Sequence, residues 1–246
     1  MKQTRPIKNR AYALIAALCI LSVFSLLNMI NEFIMIDFIR PYFHLRNVPA
    51  YEMSLIEYDA SFINALESYF VYMTAAVFIL WFARAYRNLT QRVLYPSFSE
   101  GWAIGVWFVP YINLIRPFQM MKEIFYKSNE IIQEHKQVPS NPIMVPLVGW
   151  WWCLFIGRNI LIISASSLAK TANTLYEIRN YYTFTIFVNV VSVAACVVTI
   201  KLIIEHLKLE EQLKAIPLEG ETETDYLLSS KANEERLQES IDQISE

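Results

Sequence analysis

The sequence is poor in the residues from which most catalytic and metal sites are built. Its three cysteines each lie in an apolar run and form no CxxC pair, so they are predicted to be small hydrophobic residues. Its three histidines lie in separate segments, without a partner at metal-ligand spacing. With only five glycines, the chain also has no GxSxG or phosphate-binding loop. We therefore expect a protein that is not an enzyme and needs no cofactor or metal.

Charge is scarce as well. Only 18% of the residues are charged and 55% are hydrophobic, whereas soluble domains carry about 25% charged residues. The apolar residues form blocks, and a bilayer-crossing helix needs about 20 of them. The sequence therefore predicts an all-α integral membrane protein with four transmembrane helices, at about 11–31, 62–83, 147–169 and 181–203.

The basic residues predict the orientation, because lysine and arginine next to a span stay on the cytoplasmic side. Four of them precede the first span: Lys2, Arg5, Lys8 and Arg10. We expect both termini in the cytoplasm of a bacterial cell and the four spans in its inner membrane. This assignment requires that the short apolar run 101–115 does not cross.

That run is interrupted by Pro110 and followed by Pro117. Proline removes a backbone donor and clashes with the preceding turn, and 15 residues cover only about 22 Å as helix, against roughly 30 Å of hydrocarbon. We predict an interfacial or re-entrant segment within 101–135. Irregular backbone at such a depth needs polar partners, and Asn113, Arg116 and Gln119 are the candidates for that role and for lining a site.

A cytoplasmic amphipathic helix is predicted from Pro117 to about His135. Its apolar face is assigned to Phe118, Met121, Ile124, Phe125 and Ile132, and its solvated face to Lys122, Glu123, Lys127 and Glu130. A helix that lies on the inner leaflet and one that packs on a partner protein share this pattern. Both interpretations stay open at this stage.

A polar stripe ends the second span. Arg84, Arg87, Asn88 and Gln91 stand at i, i+3, i+4 and i+7, on one helical face. Arginines that reach for lipid phosphates explain the charges, but a headgroup anchor needs no amide, so a polar site that includes Asn88 is the alternative. Anionic lipid headgroups are the expected ligands of the arginines, and a protein partner or a solute is the alternative for the polar site.

Arg158 and Asn159 lie near the middle of the third span. A central arginine costs about 2.5–3.5 kcal/mol on insertion scales, so it is expected to face the other helices and to be paired. Backbone carbonyls, Asn189 or water are the expected partners, because Glu32 and Glu67 are placed nearer the outer surface. A functional site and a structural polar clamp are both consistent with this position.

The tail, residues 205–246, carries twelve acidic and four basic residues. Such a segment cannot bury a core. We expect it to continue the last helix to about Leu213 and then to be disordered in the cytoplasm. A docking site for a basic protein partner is the alternative to a simple solvated tail.

The central strings FILWFARAYRNL, SEGWAIGVWFVPYINLIRPFQMMKEIF and VGWWW carry a resemblance. Over about Phe78 to Trp152 the chain resembles the bacterial membrane family named domain of unknown function 4328, with the spacing W-F-x-P-x-x-N-L-x-R-P-x-Q from Trp107 to Gln119. The resemblance implies a bacterial inner-membrane protein and carries over no activity. Arg158 and the acidic tail are not part of the pattern.

Two functional hypotheses follow. The first is a non-enzymatic scaffold or regulatory subunit whose cytoplasmic face engages lipid headgroups or a protein partner. The alternative is a small permease or channel that uses Arg158, Asn159 and the broken segment, since discontinuous helices often mark transport sites. A lipid-modifying enzyme ranks third, because no acid–base pair is assembled near the arginines. Nothing in the sequence indicates a nucleic-acid partner or an oligomeric state.

Overall fold

The computed structural model describes residues 6–44, 50–93, 95–136 and 144–216, and within these ranges the chain is helical, without strands. Four helices are long and apolar enough to cross a membrane, which confirms the predicted all-α class and the number of candidate spans. The helices are α1 (Lys8–Ile39), α2 (Ala50–Thr90), α3 (Trp102–Gly105), α4 (Arg116–Lys136), α5 (Met144–Thr171) and α6 (Leu175–Lys214).

The four long helices extend beyond the predicted spans. The interiors of α1, α2 and α6 contain neither proline nor glycine, so nothing breaks them where the apolar run ends. With 40 residues, α6 is about 60 Å long at 1.5 Å per residue, twice the thickness of a hydrocarbon core. The predicted helical start of the acidic tail is confirmed as the last part of α6. The remainder of the tail, from residue 217, lies outside the described residues.

A capping box starts α6 directly after α5. The hydroxyl of Thr174 accepts a hydrogen bond from the backbone N–H of Glu177 at 3.3 Å. The Glu177 carboxylate in turn accepts from the backbone N–H groups of Thr174 at 3.0 Å and of Asn173 at 2.9 Å. These bonds satisfy backbone donors that a helix start leaves unpaired. The local sequence Thr-x-x-Glu therefore sets where α6 begins.

The long helices form an open arc in the order α2, α1, α6, α5. α1 packs against α2 and α6, and α6 packs against α5, while α2 and α5 make at most a marginal helix–helix contact among the described residues. We call the end of the arc where α1 and α5 begin and where α2 and α6 end the base, and the opposite end the distal end. An ion pair at 3.1 Å joins Lys8 to Glu211 at the base.

The best-packed core lies at the base. The largest fully buried side chains come mainly from the ends of α2 and α6 and from α4: Trp81, Phe82, Tyr86, Met120, Met121, Ile124, Phe125, Leu202, Ile203 and Leu213. Removal of apolar surface from water is the main driving force of such packing. Along the spans this force is absent, because the helices there are surrounded by lipid that is itself apolar. The base is therefore where the chain resembles a water-soluble domain.

The apolar face of α4 is covered by the chain itself. α4 contacts α2, α5 and α6, and Met121, Ile124, Phe125 and Ile132 are buried there. The sequence left open whether the inner leaflet or a partner protein covers this face; in the structure the chain itself covers it, because the ends of α2 and α6 extend far enough. The helix also begins at Arg116, one residue before the predicted start at Pro117.

Candidate functional site

Glu123 connects α4 to α2 and to the segment between these two helices through hydrogen bonds. The sequence placed this residue on the solvated face, and that prediction is wrong, since only 8% of the residue is exposed. Its carboxylate accepts hydrogen bonds from the Tyr86 hydroxyl at 2.9 Å and from the backbone N–H of Ser97 at 2.8 Å. The Tyr86 oxygen also accepts from the backbone N–H of Phe98 at 3.0 Å. Glu123 is buried because these donors replace its water.

The polar stripe of α2 divides between two acceptors. Arg87 forms an ion pair with Glu100 at 2.9 Å, and Thr90 and Gln91 donate to the same carboxylate at 3.0 Å each. Asn88 is 1% exposed and donates to Glu210 of α6 at 3.3 Å. Neighbouring residues of a helix point about 100° apart, so Arg87 and Asn88 reach different carboxylates. Arg84, the first residue of the predicted stripe, is half-buried and engaged by other groups.

The broken segment, residues 101–115, contains no helix longer than the four residues of α3. It reverses at Tyr111, which has a positive φ of 63°, directly after Pro110. The Ile112 backbone N–H donates to the Pro110 carbonyl at 2.7 Å, so Pro110 to Ile112 form a γ-turn of the rarer, strained kind. The segment therefore turns back where the sequence predicted a break.

Trp107 projects from the broken segment between α2 and α5. Its ring makes edge contacts with Phe78 and Phe82 of α2, at centroid distances of 5.4 and 5.6 Å, and with Phe155 of α5 at 6.1 Å. Phe78 lies six residues before Arg84, about 9 Å along the helix at 1.5 Å per residue. The segment thus fills the gap between α2 and α5 at the level of their apolar runs.

Arg116 is held between two aromatic rings. Its guanidinium carbon lies 4.7 Å from the Trp102 ring centroid and 5.2 Å from that of Phe98, distances typical of cation–π contacts. Within the described ranges no hydrogen bond or ion pair involves its N–H groups. Gln119 is exposed and Asn113 is half-buried, both within one turn of Arg116 along the chain. The two rings hold the guanidinium on its apolar faces and leave its N–H donors without a partner among the described residues.

The broken segment, which directly precedes this arginine in the chain, leaves large hydrophobic residues uncovered: Ile104, Phe108, Tyr111, Leu114 and Ile115, with Tyr111 84% exposed. Exposed apolar patches of this kind mark a contact with lipid or with another protein. The base therefore combines a fixed cationic group with an adjoining apolar surface.

Arg158 of α5 faces α6 in the interior of the arc. Its Nε donates to the Ser192 hydroxyl of α6 at 3.0 Å, and its charge interacts electrostatically with Glu67 of α2. Asn189, one of the partners expected for Arg158, donates instead to Glu32 at 3.1 Å. Ser192 lies three residues, about one turn of α6, nearer the base than Asn189, and it is this turn of α6 that faces Arg158.

Asn159 is not part of this interior site. Its side chain donates to the Phe155 carbonyl of its own helix at 2.7 Å and is exposed. The predicted site residues thus fall into three places. Arg87 and Asn88 make structural contacts, and Arg158 lies in the interior. Arg116 lies between the rings of Phe98 and Trp102, an arrangement that we call the Arg116 clamp, with Asn113 and Gln119 next to it along the chain. Sequence reasoning missed the acceptors Glu100, Glu123 and Glu210, because each accepts from α2, a different part of the fold from its own.

Together these features define the class of protein, a helical chain with four membrane-compatible helices and a packed base of short helices. The family model described as domain of unknown function (DUF4328) matches residues 48–206, and the chain belongs to this family. The suspected resemblance is therefore confirmed over a longer range, which includes Arg158 but not the tail. Comparison with curated proteins and with solved structures found no significant match.

Proposed function

We propose that this protein is a non-enzymatic component of the bacterial inner membrane, a scaffold or regulatory subunit whose base binds anionic lipid headgroups. In this arrangement both termini and the base face the cytoplasm, and the broken segment is re-entrant, dipping into the inner leaflet. The observation that carries the proposal is the Arg116 clamp, the guanidinium of Arg116 between the rings of Phe98 and Trp102, whose N–H donors are unused by the described residues.

The chemistry of the clamp fits a phosphate group. A guanidinium offers a planar fork of donors that matches phosphate oxygens and also stacks on aromatic faces. The exposed rings and aliphatic side chains beside it, such as Phe108 and Leu114, would contact the acyl chains of the same lipid. An anionic phospholipid satisfies both surfaces at once.

The carboxylates of the base support a structural rather than a catalytic role for that region. Glu100 accepts from three side chains of α2, Glu123 from Tyr86 and Ser97, and Glu210 from Asn88. A general base needs a free lone pair directed at its substrate. These three acids are instead engaged by donors that connect α2, α4 and α6.

Lipid retention tests the proposal. Arg116→Ala should lower the affinity for phosphatidylglycerol about tenfold, because a hydrogen bond to a charged group contributes about 1.5–3 kcal/mol. The control is Arg40→Ala, which removes an exposed arginine of the distal end that pairs with Asp37. The measurement is native mass spectrometry of the full chain with phosphatidylglycerol and phosphatidylcholine. Equal phosphatidylglycerol retention in both variants would refute the proposal.

A small permease is the second candidate, and one observation favours it. Polar side chains pair across the helices within the arc: Asn28 with Glu67, Asn189 with Glu32 and Ser192 with Arg158. Ionisable groups at such positions often line solute or ion pathways. Proteoliposome flux assays test this: ion or solute uptake that Glu67→Gln abolishes would favour transport, and uptake no faster than in empty vesicles would exclude it.

A further inference from the structure

A cavity of about 190 Å³ lies in the gap between α2 and α5. Trp107 of the broken segment borders it together with Phe78, Trp151 and Phe155, and α1 and α6 contribute the remaining wall. A dry apolar cavity of about 150 Å³ is large enough to bind benzene. This one is therefore large enough for a single substituted six-membered ring.

The cavity is only partly enclosed. α2 and α5 make at most a marginal helix–helix contact and meet there through side chains such as the Phe78–Trp151 pair, with ring centroids 5.9 Å apart. Rotation of these side chains alone would let a molecule dissolved in the lipid enter between the two helices. The natural source of a ligand is the bilayer itself.

Two residues that line the cavity each carry a buried donor without a partner among the described residues. These donors are the hydroxyl of Thr74, a residue that is 5% exposed, and the indole N–H of Trp107. Serine and threonine in apolar helices usually donate to a carbonyl of the preceding turn, as Ser192 does to Val188 and Thr199 to Ala195. An unpaired buried polar group lowers the stability of a folded protein by about 1–3 kcal/mol. A ligand that accepts hydrogen bonds from these two donors would restore part of that stability.

The charge in the cavity favours a neutral ligand. Arg158 lines the wall, but Glu67 already interacts with it electrostatically and Ser192 accepts from its Nε. A carboxylate or phosphate would bring a second negative charge toward Glu67. The cavity instead fits a flat, uncharged ring with carbonyl oxygens. Its aromatic walls can stack on such a ring, and its two donors without partners can donate to the carbonyl oxygens.

We propose that this cavity binds the ring of a membrane-dissolved isoprenoid quinone, which accepts hydrogen bonds from Thr74 and Trp107 while its tail leaves through the gap between α2 and α5. The ring stacks against Phe78, Trp151 or Phe155, which prefer offset or edge contacts with another ring. This site is independent of the Arg116 clamp, and the proposal involves binding alone.

Calorimetric titration of the full chain in detergent with a short-tailed benzoquinone and a short-tailed naphthoquinone tests the proposal. We expect at least one to bind, and Thr74→Val to weaken it about fivefold to tenfold, the effect of one hydrogen bond of roughly 1–1.5 kcal/mol. Thr199→Val is the matched control, because its hydroxyl lines the same cavity but already has a partner. That variant should bind like the parent.

Ala75→Phe adds a second test, since Ala75 lines the cavity while its side chain is otherwise exposed. The added ring should abolish quinone binding and leave the melting temperature unchanged. Three results would overturn the proposal: no heat with either quinone, equal weakening by Thr74→Val and Thr199→Val, or palmitate binding as tightly as the quinone. The last result would identify an acyl-chain site instead.

Discussion

Tyr86→Phe removes one buried hydroxyl that connects three parts of the base. In the parent, this hydroxyl donates to Glu123 at 2.9 Å and accepts from the Phe98 backbone N–H at 3.0 Å. The substitution keeps the ring and leaves a carboxylate oxygen and a backbone donor short of a partner. Each such loss costs about 1–3 kcal/mol, so we expect roughly 2–4 kcal/mol of destabilisation.

The assay is thermal unfolding of the purified protein in one detergent, followed by tryptophan fluorescence. A change of 1 kcal/mol shifts the melting temperature by about 2–4 °C in chains of 150–250 residues, so Tyr86→Phe should lower it by roughly 5–15 °C. Tyr126→Phe is the control, because Tyr126 lies on the uncovered side of α4 and is 59% exposed. Equal melting temperatures for the two variants would refute the role given to Glu123.

Two further predictions concern the interior arginine and the start of α6. Arg158→Leu should lower stability by about 1–3 kcal/mol through the lost hydrogen bond to Ser192. After Ser192→Ala the same substitution should cost less, and equal losses in the two backgrounds would contradict the pairing. Thr174→Ala should lower the free energy of unfolding by about 1 kcal/mol, because the N-cap of α6 is lost. The control Thr183→Ala, within the same helix, should change that free energy by less than about 0.5 kcal/mol. Equal losses in the two variants would argue against the capping box.

The long helices were predictable because the length of an apolar run is a local property of the sequence. Each predicted span lies inside an observed helix, and the turn at Pro110 was expected because proline acts on its own neighbours. The ends of α1 and α2 were less predictable. The apolar pattern stops at about residues 31 and 62, whereas α1 continues to Ile39 and α2 begins at Ala50.

The contacts of the polar residues were not predictable, because they join distant parts of the chain. Glu123 was assigned to solvent since its partner Tyr86 lies 37 positions away. Arg158 was left without a partner since its distance from Ser192 is 34 positions. For α4, an amphipathic pattern indicates that one face is covered but not by what, and here the cover is the chain itself.

The central claim is that the base, with Arg116, faces the cytoplasm while the turn between α5 and α6 faces the outside. Single cysteines at the exposed positions Gln119 and Asn173, in a variant lacking the three native cysteines, test it by labelling with a membrane-impermeant maleimide. We predict that Asn173→Cys reacts in intact cells and that Gln119→Cys reacts only after permeabilisation. Labelling of Gln119→Cys in intact cells would contradict the orientation and, with it, the proposed contact between Arg116 and inner-leaflet lipid.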